Sequence, residues 1–596
     1  MIEKMKRYIT LAAAALLAFA SCDVFEKAPL DKLSPESYFK TELDLQLFSN
    51  TFYNNLLNKE PYKWQSDHYV TNKLSTLVRG GDSRVVPDDG GGWDWGDNRK
   101  INTLLGNIHN CEDQAAVEKY TGVARFFRAF DYYEKVKRFG DVPWIDKELG
   151  SADPELYAPR DSRELIMTKM LEDIDYAIEY LPAARSTYRV NKWSALALKA
   201  QFCLFEGTYR KYHNLNLEGH DWKFYLEQAA DAAKQIIDGG VYSLYTTGHP
   251  DKDYMMLFAQ DNASPEEYIL AVKYDYGLNI KHNATAYAVL ASQGRPGATK
   301  KFVDSYLMKD GSRFTDQPAW AEKGFAEQMV NRDPRLGQTV RTPGYTRIGQ
   351  KTKLTTDLGA TVTGYQLVKF VMDPSANGSS VDRPDYSTND MPVYRYAEVL
   401  LNYAEAKAEL GTLTQADLEI SINQLRKRAG MPDLDMVQAN DHPDWYLSSD
   451  EYGYSHVTGE NQGVILEIRR ERAVELAQEG DFRWFDLMRW NEGKCVEQQL
   501  YGIYFPGPGE YDLDADGVND CCLYESAKPE TSAKFVYQIG KEIILSEGNK
   551  GYIDPYPNTL HVFDENRDYL YPIPSGERTL NHNLTQNPGW NDGLDF

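Results

Sequence analysis

The sequence predicts a mainly α-helical protein: tetratricopeptide-like helix hairpins stacked into a superhelix, with a loop-rich, partly extended insertion. From residue 101 to about 240, and again from about 391 to 490, large and small apolar residues recur at three- and four-residue steps, the spacing of one helix face. Alanine and glycine between aromatic residues favour helix pairs that stack on one another. Between 241 and 390 the periodicity fades into Gly, Asp, Tyr and Thr, which is typical of a functional loop region.

Residues 1–21 have the pattern of an export signal. A basic start at residues 4–7 is followed by an apolar run from Tyr8 to Phe19, which is too short to span a bilayer as a stable helix. The residues before Cys22 resemble a bacterial lipobox, in which the signal peptide is removed and the cysteine sulfur carries lipid. The sequence therefore predicts a lipid-anchored protein whose residues 22–596 form one domain. An ordinary secretory signal followed by a chance cysteine is the alternative.

After a short tether that follows Cys22, a helix is predicted to begin at Ser34, because Ser34 has the character of an N-cap and is followed by Pro35 and the early acid Glu36. Residues 61–100 are loop-rich and contain the stretch GGWDWGDN, Gly91–Asn98, where glycines break any regular pattern. This stretch holds two large apolar rings in a polar loop. Within the insertion, the segment TGYQLVKFVM, Thr363–Met372, is predicted to be a strand.

Composition and charge narrow the class of ligand. The formal net charge of -24 and the pI of about 5.0 argue against a nucleic-acid surface, because such surfaces concentrate Lys and Arg. The chain has 41 tyrosines and 11 tryptophans, whose rings combine apolar area with a hydrogen-bonding group. That combination suits a sugar better than a phosphate.

Catalytic signatures are absent from the sequence: it contains no HExxH, GxSxG, Walker A, CxxC or GxGxxG motif. The segment from Ile468 to Trp490 carries Arg469, Arg470 and Arg472 among glutamates. Acids at helical spacing provide partners within the helix, so a structural ion network is predicted there and not an anion site. The missing motifs count against an enzyme without removing that hypothesis, and the binding function that the sequence favours requires no cofactor.

The stretch YDLDADGVND matches part of a calcium loop. Asp512, Asp514, Asp516 and Asp520 occupy positions 1, 3, 5 and 9, and a glycine stands at position 6. Leu523 stands where a bidentate glutamate is expected, so the functional interpretation is weak calcium binding unless Glu525 or a remote carboxylate substitutes. An Asp-Gly turn without metal is the alternative, and the residues favour it.

Eight stretches, in order and spacing, give the chain a recognisable signature, among them ARFFRAFDYYEKVKRFGDVPWI, YRYAEVLLNYAEAKAEL, IRRERAVELAQEGDFRWFDLMRW and YLYPIPSGERTLNHNLTQNPGW. The chain thereby resembles the SusD/RagB family of glycan-binding outer-membrane lipoproteins over nearly its whole length. The resemblance implies a helical scaffold with four tetratricopeptide-like hairpins and no enzymatic activity. It also implies a surface-exposed protein on the outer membrane, a glycan ligand, and a SusC-like TonB-dependent transporter as partner.

The resemblance implies that ligand-binding aromatic residues lie in loops of the first hundred residues and in the irregular middle region. Sugar rings present C–H faces that stack on aromatic rings, while their hydroxyls bind acids, amides and arginines. The predicted glycan-binding residues are Trp93, Trp95, Asp67, Arg84, Asp97, Tyr287, Trp320 and Tyr386. For the tryptophan pair, burial against the first helices is the alternative.

Three functions are consistent with the sequence. The leading one is a surface lipoprotein that captures a polysaccharide or oligosaccharide and delivers it to a TonB-dependent transporter. A surface glycoside hydrolase is the second, because paired carboxylates suffice for that chemistry and the chain has 89 acidic residues. A repeat scaffold that recruits other surface proteins without binding glycan is the third.

Overall fold

The computed structural model of the protein describes residues 38–57, 60, 62, 63, 65–378 and 380–596. The predicted signal peptide, Cys22 and the predicted helix start at Ser34 lie outside these residues. Across the described ranges, no helix is both long enough and apolar enough to cross a bilayer.

Helices account for most of the regular structure, which confirms the predicted mainly α-helical class. The α-helices of the described chain are α1 (Glu42–Leu56), α2 (Thr76–Arg79), α3 (Gly96–Asn107), α4 (Gln114–Phe139), α5 (Arg163–Tyr180), α6 (Lys192–Tyr212), α7 (Trp222–Gly239), α8 (Asp253–Ala259), α9 (Ala284–Val289), α10 (Lys300–Ser305), α11 (Phe325–Gln328), α12 (Leu336–Thr339), α13 (Tyr396–Glu409), α14 (Gln415–Glu419), α15 (Ile422–Ala429), α16 (Met436–Asp441), α17 (Gln462–Glu475), α18 (Phe482–Arg489) and α19 (Ser575–Leu580).

Within the described ranges the strands are short and form four small sheets. They are β1 (Tyr69–Val70), β2 (Tyr268–Val272), β3 (Gly297–Ala298), β4 (Met391–Arg395), β5 (Tyr504–Phe505), β6 (Gly509–Tyr511), β7 (Cys521–Tyr524), β8 (Phe535–Gln538) and β9 (Gly551–Tyr552). The pairs β1–β3, β2–β4 and β5–β9 are antiparallel. In the remaining sheet, β7 pairs antiparallel with β6 and parallel with β8.

The long helices pack on one another in chain order. Helix α4 contacts α5, α5 contacts α6, and α6 contacts α7. Helix α13 packs on α7 of this stack and also contacts α17. Small residues make the α6–α7 contact close: a Cβ on Gly207 would lie 2.7 Å from Leu226 Cγ. The alanine and glycine pattern of the sequence therefore produces the close helix pairs that it predicts.

Gly463, near the start of α17, lies at a close approach to the backbone of α16. A Cβ on Gly463 would lie 1.8 Å from the carbonyl oxygen of Ala439, which cannot rotate away as a side chain can. We expect Gly463→Ala to lower the free energy of unfolding by about 1–3 kcal/mol, because α16 must shift.

Gly106→Ala in α3 is the matched control for this prediction. Apart from its chain neighbours and its own helix backbone, no atom of the described residues lies within 4 Å of the methyl group that it adds, so helix propensity predicts a gain of about 0.5–1 kcal/mol. Urea unfolding of both variants measures the difference. Equal stability of the two variants would contradict the packing argument.

The first described helix begins later than the sequence predicts. Helix α1 starts at Glu42, where Thr41 and Asp44 form a capping box. The described residues just before it, 38–41, are not helical, and Phe39 has a φ of 37°. The predicted continuous helix from Ser34 is therefore wrong in this part, because the capping box fixes the first turn at Glu42.

The insertion consists of short helices and strands joined by buried irregular segments. Thr363–Met372, the predicted strand, is not one: Gln366 and Leu367 form only isolated bridges. Tyr365 belongs to one apolar cluster and Phe370 to another. The alternation of apolar residues thus reflects burial between two clusters and not a sheet ladder.

The arginines of α17 form the predicted structural ion network, but most of their partners lie on other elements. Arg472 Nε lies 2.8 Å from Asp486 Oδ2 of α18. Arg470 pairs with Glu467 of its own helix at 2.6 Å and also with Asp444 of a loop. The prediction of partners within the helix is thus corrected, because these side chains are buried at contacts between elements.

Candidate functional site

The two tryptophans of the Gly91–Asn98 loop differ in burial. Trp93 is 5% exposed and packs edge-on against Phe139, with 5.0 Å between ring centroids, and against Trp95 at 5.6 Å. Trp95 is half-buried, and Lys135 Nζ lies 4.9 Å from its ring centroid. Ligand stacking stays a prediction for both rings, and most of the Trp93 ring belongs to the core. The alternative, burial against the first helices, describes it.

Trp93 and Trp95 line an apolar groove of about 520 Å³. Its other walls include Leu156, Tyr157 and Leu580, which are 42%, 57% and 73% exposed. The groove therefore presents apolar side chains to solvent. We name it the Trp95 groove.

Asp67 and Arg84 are structural residues. Asp67 is fully buried, with Arg483 Nη2 2.6 Å and Lys301 Nζ 3.0 Å from Oδ2. Burial acts to raise the pKa of Asp67, but the two cations hold it far below its usual range. Arg84 is 7% exposed, and its Nη1 lies 3.1 Å from Asp568 Oδ1. Neither side chain is available to a ligand, which corrects both predictions.

Asp97 and Tyr287 lie in separate places. In the first turn of α3, Asp97 Oδ1 accepts hydrogen bonds from Asn55 Nδ2 at 2.9 Å and from Lys100 Nζ at 2.8 Å. Tyr287, on α9, is half-buried and lines a cavity of about 710 Å³. The linings of this cavity and of the Trp95 groove have no residue in common.

Tyr386 lies at another edge of the insertion. Its ring centroid is 6.1 Å from that of Tyr276, and Lys281 Nζ lies 4.7 Å from it. The predicted residues therefore do not form one site.

Trp320 is part of an aromatic surface that the structure assembles from four stretches of the chain. It is half-buried, in a short 3-10 turn, and its ring centroid lies 6.3 Å from that of Trp445. Trp445 is 48% exposed, and its indole Nε1 donates to Asp316 Oδ1 at 2.8 Å. The two indoles thus form one end of this surface, with the exposed ring held by a hydrogen bond.

Tyrosines continue the surface. Lys300 Nζ lies 5.3 Å from the ring centroid of Trp320 and 5.2 Å from that of Tyr552. Tyr552 stacks on Tyr501 at 5.3 Å and meets Tyr504, its partner on the neighbouring strand, at 5.6 Å. We call Trp320, Trp445, Tyr501, Tyr504 and Tyr552 the aromatic platform.

The loop that carries Trp445 is held by a buried carboxylate. Asp444 is 1% exposed, and its Oδ1 accepts hydrogen bonds from the backbone N–H of Tyr446 at 2.8 Å and of Leu447 at 3.1 Å. Arg470 and Arg313 pair with its other oxygen. Because this turn is fixed before any ligand arrives, little conformational entropy remains to be lost on binding.

Acids surround the tyrosine end of the platform. Burial, and then the carboxylates of Asp304, Glu451 and Glu322, raise the pKa of Tyr552. Its phenol therefore stays protonated at neutral pH and can donate a hydrogen bond. Asp304 lies 2.8 Å from Lys300 Nζ. The platform thus combines apolar ring faces with donors and acceptors, the pattern that a sugar ring presents.

Trp445 and the three tyrosines of the platform were missed by the sequence reasoning. Trp445 stands in the stretch DHPDWYLSSDEYG, in which Pro, Asp, Ser and Gly mark a loop. The signal is the one that singled out Trp93 and Trp95: a large ring in a breaker-rich loop.

The four predicted calcium ligands are partly brought together. Carboxylate oxygens of Asp512, Asp514 and Asp520 lie within 4.8 Å of one another. Asp516 is not part of this cluster and accepts a hydrogen bond from the backbone N–H of Val518. Burial and the neighbouring carboxylates raise the pKa of Asp514. Calcium binding here stays a prediction, without a bidentate carboxylate, because Leu523 is buried in β7.

Comparisons with known proteins agree with one another. The model of the SusD family matches residues 266–590, and a second model, described as starch-binding and associating with the outer membrane, matches residues 98–204. The SusD-like protein P2 of Formosa agariphila is 24% identical over 615 aligned positions, which cover 98% of this chain and 100% of the relative. The SusD-like protein P38 of the same organism is 24% identical and covers 84% of this chain and 95% of its own length.

Solved structures share the fold. A SusD-like carbohydrate-binding protein from Bacteroides fragilis superposes with a TM-score of 0.66 at 21% identity, covering 92% of this chain and 99% of its own. A second SusD-like protein from that organism gives 0.65 at 22% identity, covering 95% and 100%. The similarity extends over nearly the whole length of each chain.

Proposed function

Because the chain belongs to the SusD family, whose model matches more than half of it, we propose that it binds a glycan and delivers it to a TonB-dependent transporter of the outer membrane. Its similarity to a protein described as carbohydrate-binding supports the glycan ligand. The description of the second matching model supports the outer-membrane location. Cys22 supplies the lipid anchor in this proposal, and the protein acts without catalysis.

The aromatic platform is the observation that carries the proposal. Trp445 presents 48% of its surface to solvent although it is one of the largest apolar side chains. Trp320 and Tyr552 extend the ring surface on either side of Lys300. Rings held in fixed orientations bind ligand at a low cost in conformational entropy. A neutral or weakly polar chain molecule with C–H faces suits such a surface.

The position of the platform supports capture of a chain and not of a single small molecule. Its residues come from a 3-10 turn at Trp320, the loop at Trp445 and the β5–β9 pair. Rings that come from several segments can contact more than one unit of a polymer, and each contact then adds a modest stacking energy. A ligand held by several weak contacts suits delivery to a transporter, because each contact can break separately when the ligand is released.

Affinity electrophoresis against a panel of polysaccharides tests this function. We expect at least one polysaccharide to retard the wild-type protein and to lose that effect with Trp445→Ala. Leu580→Ala is the matched control, because Leu580 is 73% exposed and lines the Trp95 groove instead. Equal retardation of Trp445→Ala, or loss only with Leu580→Ala, would overturn the assignment to the platform. Release of product sugars from the panel would favour a hydrolase.

A further inference from the structure

Lys300 shows that the rings of the aromatic platform can hold a positive charge. Its Nζ lies over two rings, 5.3 Å from the centroid of Trp320 and 5.2 Å from that of Tyr552. Aromatic faces attract ammonium groups because the π electrons give each face a partial negative charge. Trp445 is more exposed and lies beside Trp320, so it offers a second face of the same kind to a cation from solvent.

Carboxylates flank the tryptophan end of the platform. Asp316 is exposed, and its Oδ1 accepts the hydrogen bond from Trp445 Nε1 at 2.8 Å. Glu322 is exposed as well and lies two residues after Trp320 in the same 3-10 turn, which contacts strand β5. These two acids therefore place negative charge at the edges of the ring surface.

A third acid stands at the tyrosine end. Glu451 is exposed, and its carboxylate and that of Glu322 both raise the pKa of Tyr552, so the two acids lie near that phenol. In the part of the chain that the structure describes, neither of them forms an ion pair, and neither does Asp316. We call Asp316, Glu322 and Glu451 the platform acids.

Two lysines beside the platform are already paired with other acids. Lys300 Nζ lies 2.8 Å from Asp304 Oδ2, and Lys550 Nζ lies 3.3 Å from Glu547 Oε2. The platform acids therefore give the ring surface a local excess of negative charge. The formal net charge of -24 on the whole chain adds to this field. Such a surface repels an acidic polymer and attracts a cationic one.

We propose that the aromatic platform is specific for a polysaccharide whose sugar units carry free, protonated amino groups. The C–H faces of such a chain stack on the rings, and its ammonium groups meet the platform acids and the exposed face of Trp445. This inference rests on the proposed function and deepens it: the rings alone suit a neutral chain, whereas the acids around them favour positive charge at its edges. Asp316, Glu322 and Glu451 are then the specificity-determining residues.

Calorimetry with hexamers of glucosamine, N-acetylglucosamine, galacturonic acid and lysine tests the proposal. The first two hexamers share the same sugar ring, and the acetyl group removes the charge of the amino group. At a pH below the pKa of the free amino groups, we expect the wild-type protein to bind the glucosamine hexamer at least about tenfold more tightly than the N-acetylglucosamine hexamer, because it adds cation–π contacts and ion pairs. Salt at about 0.5 M should reduce this preference, because it screens exposed charges.

Glu322→Gln/Glu451→Gln isolates the platform acids. Both side chains are exposed, so the variant keeps the fold, and we expect its affinity for the glucosamine hexamer to fall about fivefold or more. Glu218→Gln/Glu227→Gln is the matched control, because it removes the same charge from exposed positions before and on α7. Its affinity should change less than about twofold. An equal loss in both variants would show that the net charge of the protein attracts the hexamer, and would overturn the inference.

The other hexamers separate this inference from the proposed function. Binding of the N-acetylglucosamine or galacturonic acid hexamer as tightly as the glucosamine hexamer contradicts a cationic ligand. Equally tight binding of the lysine hexamer shows that a basic peptide suffices and contradicts the polysaccharide. A neutral polysaccharide that retards the protein through Trp445, without binding of the glucosamine hexamer, overturns the inference and leaves the proposed function standing. Retardation by no polysaccharide at all is the failure of the proposed function itself, and the inference falls with it.

Discussion

Replacing Glu475 with Gln is expected to lower the free energy of unfolding by about 3–5 kcal/mol, the range for breaking a buried ion pair by removing one partner. Glu475 is fully buried at the end of α17. Its carboxylate lies 2.5 Å from Arg428 Nη2, 2.8 Å from Arg395 Nη1 and 3.3 Å from Arg335 Nη1. The amide keeps the volume but leaves three buried guanidinium groups short of a negative charge.

The pH dependence of this effect follows from the same contacts. Burial acts to raise the pKa of Glu475, but the three arginines hold it well below its usual range. A carboxylate with a lowered pKa stabilises the fold above its unfolded pKa of about 4.3 and loses that effect as pH falls towards the folded pKa. The difference between wild type and Glu475→Gln should therefore be largest near neutral pH and shrink in acid.

Urea unfolding at several pH values measures both effects. Asp238→Asn is the matched control, because Asp238 pairs with Lys234 on an exposed helix face with 60% of its side chain in solvent. An exposed pair contributes about 0–1 kcal/mol. A Glu475→Gln protein as stable as Asp238→Asn would show that the buried network does not stabilise the scaffold.

Removing both indoles of the platform, in Trp320→Ala/Trp445→Ala, is expected to weaken glycan binding by at least about 100-fold. Tryptophan in a binding surface commonly contributes about 2 kcal/mol or more, and about 2.8 kcal/mol corresponds to 100-fold. Calorimetry with the polysaccharide identified by affinity electrophoresis gives the loss.

Trp445→Phe is the control for this variant, because it keeps an aromatic face at the exposed position and should restore part of the affinity relative to Trp445→Ala. Trp320 also contacts Phe314 and Tyr446, so thermal unfolding must accompany the binding measurement. A folded double variant with wild-type affinity would refute the role of the platform.

The scaffold follows from the sequence because helix periodicity is local. The apolar spacing, the small residues and the caps that define α4 to α7 all lie within a few residues of the positions they determine. Local patterns do not predict which side chains pair across elements. The arginines of α17 are visible in the sequence, but Asp486 and Asp444 become their partners only through packing.

The site depends on contacts that no local pattern contains. Asp67 is buried because Arg483, 416 residues further on, supplies its partner. Trp93 and Trp445 both stand in loops rich in chain-breaking and polar residues, yet one ring packs on Phe139 and the other is 48% exposed. Whether a loop tryptophan binds a ligand is therefore determined by what covers it, and the sequence indicates only the residue type.

The structure of the protein with a bound oligosaccharide tests the central claim most directly. We predict sugar rings against the faces of Trp445 and Trp320, with further units towards Tyr552. An oligosaccharide seated in the Trp95 groove, with the platform bare, would contradict the account.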